Sequence, residues 1–247
     1  MAAYYNENDP FAAQWLRNLI AEKLIAPGDV DERSIEDVRP NDLMGYTQCH
    51  FFAGIGGWSY ALRLAGWPDD RSVWTGSCPC QPFSAAGKRA GFADERHLWP
   101  SFFHLIQEQK PAVIFGEQTQ EAVDWLDLVQ TDLEGIDYSC AAVIAPAASV
   151  GAPHIRHRIF WMADTESKRG RWGTEVENGR LSQLGRPSER VSSFPWPDHR
   201  GNSSLLTFSE VCEPSYGVPS RVGKLRGLGN AIVPQLAAEF IRAYTTC

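Results

Sequence analysis

The chain has 247 residues, of which 43% are hydrophobic and 21% charged. That is enough for one α/β domain with a buried sheet and a small appendage, and too little for two large independent domains. A formal charge of −7 excludes a generic basic nucleic-acid coat, and no stretch reaches the ~18 consecutive apolar residues of a membrane span.

The opening segment MAAYYNENDPF has neither the basic nor the apolar region of a signal peptide, so a soluble, unprocessed, cytoplasmic protein is expected. The six cysteines include no CxxC pair. A zinc site or disulfide framework is therefore not expected, and a reduced compartment with one reactive thiol is. The charge is unevenly spread: residues 151–230 hold 12 Lys/Arg against 8 Asp/Glu, and the rest holds 11 against 22. A basic segment on an acidic body suits a protein that meets a polyanion with one face, and equally an Arg-rich solvated loop.

Phe11, Trp15, Leu16, Leu19, Ile20 and Leu24 recur at helical spacing. They predict a helix over residues 10–25, with Asp9 as N-cap, Pro10 at the first position and Pro27-Gly28 as the stop. A short apolar element near Ser34–Val38 and a turn at Pro40 follow. Thr47–Phe52 reads as a strand, Ala53–Gly57 as a turn, and Trp58 to about Ala65 as a helix. Ser72–Gly76 reads as a strand entering a loop over Ser77–Arg96. Two strand–helix pairs are expected next, Ala112–Gly116 with Gln120–Leu133 and Ser139–Ile144 with Arg158–Ala163. Strands alternating with helices imply a mostly parallel sheet covered on both faces. From Asp164 to Gly217 both periods fail in a Gly, Ser, Pro, Arg and Trp-rich tract, which reads as a loop-rich insertion. A last helix is predicted from about Pro234 to Tyr244. The boundaries are thus 1–163, 164–217 and 218–247.

Five short motifs carry chemistry. Phe51-Phe52-Ala53-Gly54-Ile55-Gly56-Gly57 lies between a strand and a helix, where glycines let a ligand approach the backbone; such a turn alone is as often merely tight. Gly76-Ser77-Cys78-Pro79-Cys80-Gln81-Pro82-Phe83-Ser84 sets a thiol just past a strand end. Only its thiolate is nucleophilic, so it needs electropositive company such as Arg156 and Arg158, whereas a buried inert cysteine needs none. Phe115-Gly116-Glu117-Gln118 ends another apolar strand. Burial raises the pKa of a Glu there, making it an acid near neutrality, while exposure at a helix start leaves it an ordinary carboxylate. On a strand, His154-Ile155-Arg156-His157-Arg158 would point both arginines one way, as phosphate or carbonyl recognition requires. Gly229-Asn230-Ala231-Ile232-Val233-Pro234 turns into the last helix.

Together these motifs resemble the DNA (cytosine-5) methyltransferase family, in family order from Phe51 to the C-terminus. FAGIGG is similar to its S-adenosylmethionine turn and PCQPFS to its cysteine loop. GEQ resembles its ENV motif, with Gln118 for Asn; HIRHR resembles its QxRxR motif, with His154 for Gln. GNAIVP resembles its last turn. Only 22 residues separate Gly57 from Cys80, too few for the strand–helix units that the family places there. The N-terminal segments around Glu7 and Ser34-Ile35 resemble those missing pieces, so the chain is identified as a circularly permuted member.

The resemblance implies a Rossmann-like S-adenosylmethionine-dependent fold and methyl transfer to C5 of cytosine in duplex DNA. The catalytic residues would be Cys80, Glu117, Arg156 and Arg158. The cofactor would lie on Glu7, Ser34, Ile35, Phe52, Ala53, Gly54, Ile55, Gly57, Asn230 and Ala231. DNA contacts would come from Gln81, Ser84, Lys88 and Arg89 in the cysteine loop, with Gly87 and Gly91 as hinges, and from Arg169, Arg171 and Arg186 in the insertion, the target recognition region. No metal is expected. The chain is expected as a monomer in a bacterial or phage setting, with a cognate restriction enzyme as a candidate partner. A tRNA cytosine-5 methyltransferase and a silent DNA-binding accessory are the alternatives.

Overall fold

The computed structural model describes residues 2–79, 98–152, 155–165 and 231–246. The strands are β1 (Ala2–Asn6), β2 (Gly28–Asp31), β3 (Tyr46–Phe51), β4 (Val73–Gly76), β5 (Val113–Thr119), β6 (Ser139–Pro146) and β7 (His157–Asp164). The helices are α1 (Pro10–Ala21), α2 (Gly57–Leu64), α3 (Trp99–Gln109), α4 (Val123–Glu134) and α5 (Pro234–Thr246).

The seven strands form one sheet in the order β2-β1-β3-β4-β5-β7-β6. Pairings from β2 through β5 are parallel, and β7 is antiparallel to both of its neighbours. One strand therefore runs against six. The Gly turn follows β3, which lies inside the sheet although β1 and β2 precede it in sequence.

Side-chain alternation divides the core between the two faces. Trp74, Ile114, Ile159 and Trp161 bury on the side of α3 and α4, with Trp99, Phe102, Trp125 and Val129. Val73, Phe115, Phe160 and Met162 bury on the other, against Trp58 and Leu62 of α2 and Leu236 and Ile241 of α5. α1 covers the far end of that second face through Leu16, packed with Ala3, Tyr5 and Ile25.

The first helix starts as expected. The Asp9 carboxylate accepts from Phe11 N at 2.8 Å and Ala12 N at 3.2 Å, with Pro10 at the first position. It ends at Ala21 and not at Ile25, because Lys23 turns left-handed at φ 58° and Leu24 N donates back to Leu19 O. Arg158–Ala163, expected as a helix, belongs to strand β7. Its apolar run is continuous because β7 is interior and buried on both faces, which erases the period of two. Strand β2 and helix α3 are elements beyond those expected.

Candidate active site

The Gly turn, the start of the cysteine loop, Glu117 and Arg158 all lie at one edge of the sheet, where the parallel strands end and β7 begins. Open α/β sheets bind ligands at that edge.

Three adjoining strand ends build one side. Ala53 N donates to Asn6 O at 3.0 Å, and Gly54 N donates to Glu7 Oε2 at 2.7 Å. Glu7 thereby joins the end of β1 to the turn after β3, across 47 residues of sequence. Phe52 leaves β3 at φ 52° and meets Phe102 edge-on at 6.1 Å. A left-handed non-glycine residue is costly and persists where packing enforces it. Ile35 is buried beneath this corner, and Ser34 caps the 3-10 turn Ile35–Asp37. Asn6, whose role no motif signals, donates to Arg33 O at 2.9 Å and so ties the Ser34-Ile35 segment to β1.

The cysteine loop is described as far as Pro79. Trp58 Nε1 at the start of α2 donates to Ser77 Oγ at 2.9 Å, and Gln118 Nε2 donates to Cys78 O at 3.3 Å. Both hold the chain leading to Cys80, and neither role is visible in the sequence. Cys78 itself is a core side chain whose thiol pKa burial pushes well up. Cys80, Gln81, Ser84, Lys88, Arg89, His154, Arg169, Arg171, Arg186 and Asn230 lie outside the described residues.

On the opposite side, β5 pairs Thr119 with Arg158 and Glu117 with Phe160. Glu117 and Arg158 are thus diagonal neighbours on the α2–α5 face, and Arg158 Nε stands 2.8 Å from Glu117 Oε1. The contact is an ion pair between a guanidinium and a buried carboxylate. Glu117 is only 7% exposed. Burial raises its carboxyl pKa, against the opposing charges of Arg158 and Arg156. Arg156 lies outside β7 at φ 30°, so strand alternation does not pair it with Arg158; its Nη2 donates to Ala231 O at 2.8 Å.

The sequence profile of the C-5 cytosine-specific DNA methylase family matches residues 67–204, more than half of the chain. The chain belongs to that family, and its sheet is the Rossmann-like fold of S-adenosylmethionine-dependent methyltransferases. Among curated relatives, the Type II methyltransferase M.CviJI of Paramecium bursaria Chlorella virus IL3A is 35% identical over 99 residues, 39% of this chain and 27% of the relative. The Type II methyltransferase M.HhaI of Haemophilus parahaemolyticus is 26% identical over 165 residues, 50% of each. The chain spans half or less of the length of these curated relatives. A solved Spodoptera frugiperda DNMT2 mutant is similar at 16% identity and TM-score 0.45, over 73% of this chain and 47% of that one.

Methyltransferases of this family and fold take their methyl group from S-adenosylmethionine. The turn has room for such a ligand: among the described residues, none beyond its two chain neighbours comes within 4 Å of a Cβ position at Gly54. Beside it are the half-buried Glu7 carboxylate, suited to ribose hydroxyls, and the half-buried Phe52 ring, suited to a flat base. Among the described residues no group of His, Cys, Asp and Glu could hold a metal, and no helix is long and apolar enough to cross a membrane.

Proposed function

We propose that this chain transfers a methyl group from S-adenosylmethionine to C5 of cytosine in duplex DNA, as a DNA (cytosine-5-)-methyltransferase paired with a cognate restriction enzyme. The observation that carries the reading is the buried Glu117 carboxyl against Arg158, at the same sheet edge as the Glu7–Gly54 turn. The Type II methyltransferase names of the relatives support DNA as substrate.

The target base must leave the stack, which costs a few kcal/mol. Cys80 thiolate adds to C6 as Glu117 delivers a proton to N3, and the electron pair makes C5 enamine-like. A carboxyl whose pKa is raised by burial is suited to hold that proton near neutral pH. Arg158, beside Glu117, is the donor for the base carbonyl O2. Bound at the Gly turn, S-adenosylmethionine would supply an electrophilic methyl; C5 takes it as the S–CH3 bond breaks and S-adenosylhomocysteine leaves. Loss of the C5 proton to water then expels Cys80 as thiolate and restores the ring, while Glu117 regains the N3 proton. Lys88 and Arg89 bind phosphates, and residues 164–217 read the target through Arg169, Arg171 and Arg186.

The chain is also read as circularly permuted. β1 and β2 precede the Gly turn in sequence yet continue the sheet beyond β3, and the Glu7–Gly54 bond supports assigning ribose recognition to Glu7. Glu7→Ala is expected to weaken S-adenosylmethionine binding, and unchanged affinity in a titration would remove Glu7 from the site. Competition between unmethylated duplex DNA and tRNA, followed by labelled methyl incorporation, tests the substrate. Label in DNA is expected; label in tRNA alone would replace DNA with RNA, and label in neither, with cofactor bound, would favour a silent binder.

A further inference from the structure

Arg156 stands between the two sides of this site. It precedes β7 in a left-handed backbone conformation, φ 30°, which frees its side chain from the alternation of the strand. It lies two residues before Arg158 in the chain, and its guanidinium feels the charges of both Glu117 and Arg158. Yet its Nη2 donates at 2.8 Å to the carbonyl of Ala231, 75 residues away. Ala231 begins the described segment that leads into α5. The next residue, Ile232, is 7% exposed and packs on the Gly turn so closely that a Cβ at Gly57 would lie 2.8 Å from its Cγ1. Gly57 is the first residue of α2. One guanidinium, in the field of the Glu117–Arg158 pair, thus holds a segment seated on the Gly turn.

We infer that Arg156 is a positioning residue, locking Ala231–Val233 onto the Gly turn and coupling the methyl-donor site to the Glu117–Arg158 pair. The inference presupposes that the turn binds the methyl donor. A charged donor on a carbonyl in a partly desolvated place is among the stronger hydrogen bonds, and its loss is expected to change affinity about tenfold. Coupling of this kind is reciprocal between the two sites.

The test is calorimetric binding of S-adenosylhomocysteine to the full chain without DNA. Arg156→Met is expected to weaken binding about tenfold, and Arg156→Lys, which keeps one cationic donor, to recover part of the loss. Arg17→Met, on an exposed ion pair with Glu32, is the control and should bind as the parent does. In turnover, Arg156→Lys should raise KM for S-adenosylmethionine by a larger factor than it lowers kcat. Ile232→Ala loosens the same segment from its other side, so the double variant should lose less than the product of the single losses. Unchanged binding in Arg156→Met together with lost DNA affinity would overturn the inference and make Arg156 a substrate contact. Independent, multiplicative losses would also overturn it. If the parent binds S-adenosylhomocysteine with these variant effects but methylates no cytosine, the proposed reaction fails and the inference stands.

Discussion

His50 offers a test of the buried sheet through acid stability. It lies in β3, 1% exposed, with Nδ1 2.8 Å from Thr75 Oγ1 and its ring stacked on Tyr5 at 4.9 Å. Burial opposes its charged form and draws its pKa from 6.5 down to about 3, with Asp69 opposing the shift. Below about pH 6.5 the unfolded chain therefore binds a proton that the folded chain does not. The contribution of His50 to stability is complete above that pH and is lost as pH falls toward 3. At about pH 4.5 the loss is two pH units at ~1.36 kcal/mol each, or ~2.7 kcal/mol, and it approaches ~5 kcal/mol at the acid limit. His50→Asn keeps a polar partner for Thr75 and does not titrate. Urea unfolding of both chains, at about pH 8 and about pH 4.5, gives the difference free of the carboxylates they share. Between those conditions the parent should lose ~2.7 kcal/mol relative to the variant. A difference constant to about 0.5 kcal/mol would refute the buried, neutral histidine.

Two glycines separate packing from backbone strain. A Cβ at Gly116 would lie 2.1 Å from Trp161 Cε2, whereas one at Gly54 meets open space but must hold φ 54°. Thermal and urea unfolding should show Gly116→Ala losing ~3 kcal/mol or more and Gly54→Ala only ~1–2 kcal/mol. Ser59 accepts from Ala26 N at 3.1 Å and pairs with Tyr5 OH at 2.9 Å, so Ser59→Ala should cost ~1–3 kcal/mol in the same assays. Glu117→Gln should lower kcat ~100-fold or more with S-adenosylhomocysteine affinity within about twofold, as measured by turnover and calorimetry. Comparable losses in both quantities would assign Glu117 to cofactor binding instead of proton handling.

What was legible in the sequence was local. Asp9-Pro10 announces a helix start because a cap and its first turn are contiguous, and Ala53–Gly57 announces a turn because its left-handed positions carry glycine. The Gly54 motif follows a strand end because the apolar run of β3 stops where the turn begins, whereas Glu117 is a buried polar group two residues before the end of β5. What escaped depends on pairing between distant segments. β2 is four residues held by β1 and has no pattern of its own. β7 reads as helix until its neighbours on both sides, β5 and β6, are known. Helix α3 did leave a signal, since Trp99, Phe102, Leu105 and Ile106 fall on one buried stripe. The Glu7–Gly54 and Arg156–Ala231 bonds join residues 47 and 75 apart, and only the folded sheet brings them together.

Methylation of C5 in cytosine is expected to depend on the Cys80 thiol. The most direct test is mass spectrometry of nucleosides from unmethylated duplex DNA, incubated with S-adenosylmethionine and either the parent chain or Cys80→Ala. 5-Methylcytosine is expected with the parent chain and none with the variant. Equal 5-methylcytosine from both would contradict the thiol mechanism, and a methylated nucleoside other than 5-methylcytosine would contradict the reaction itself.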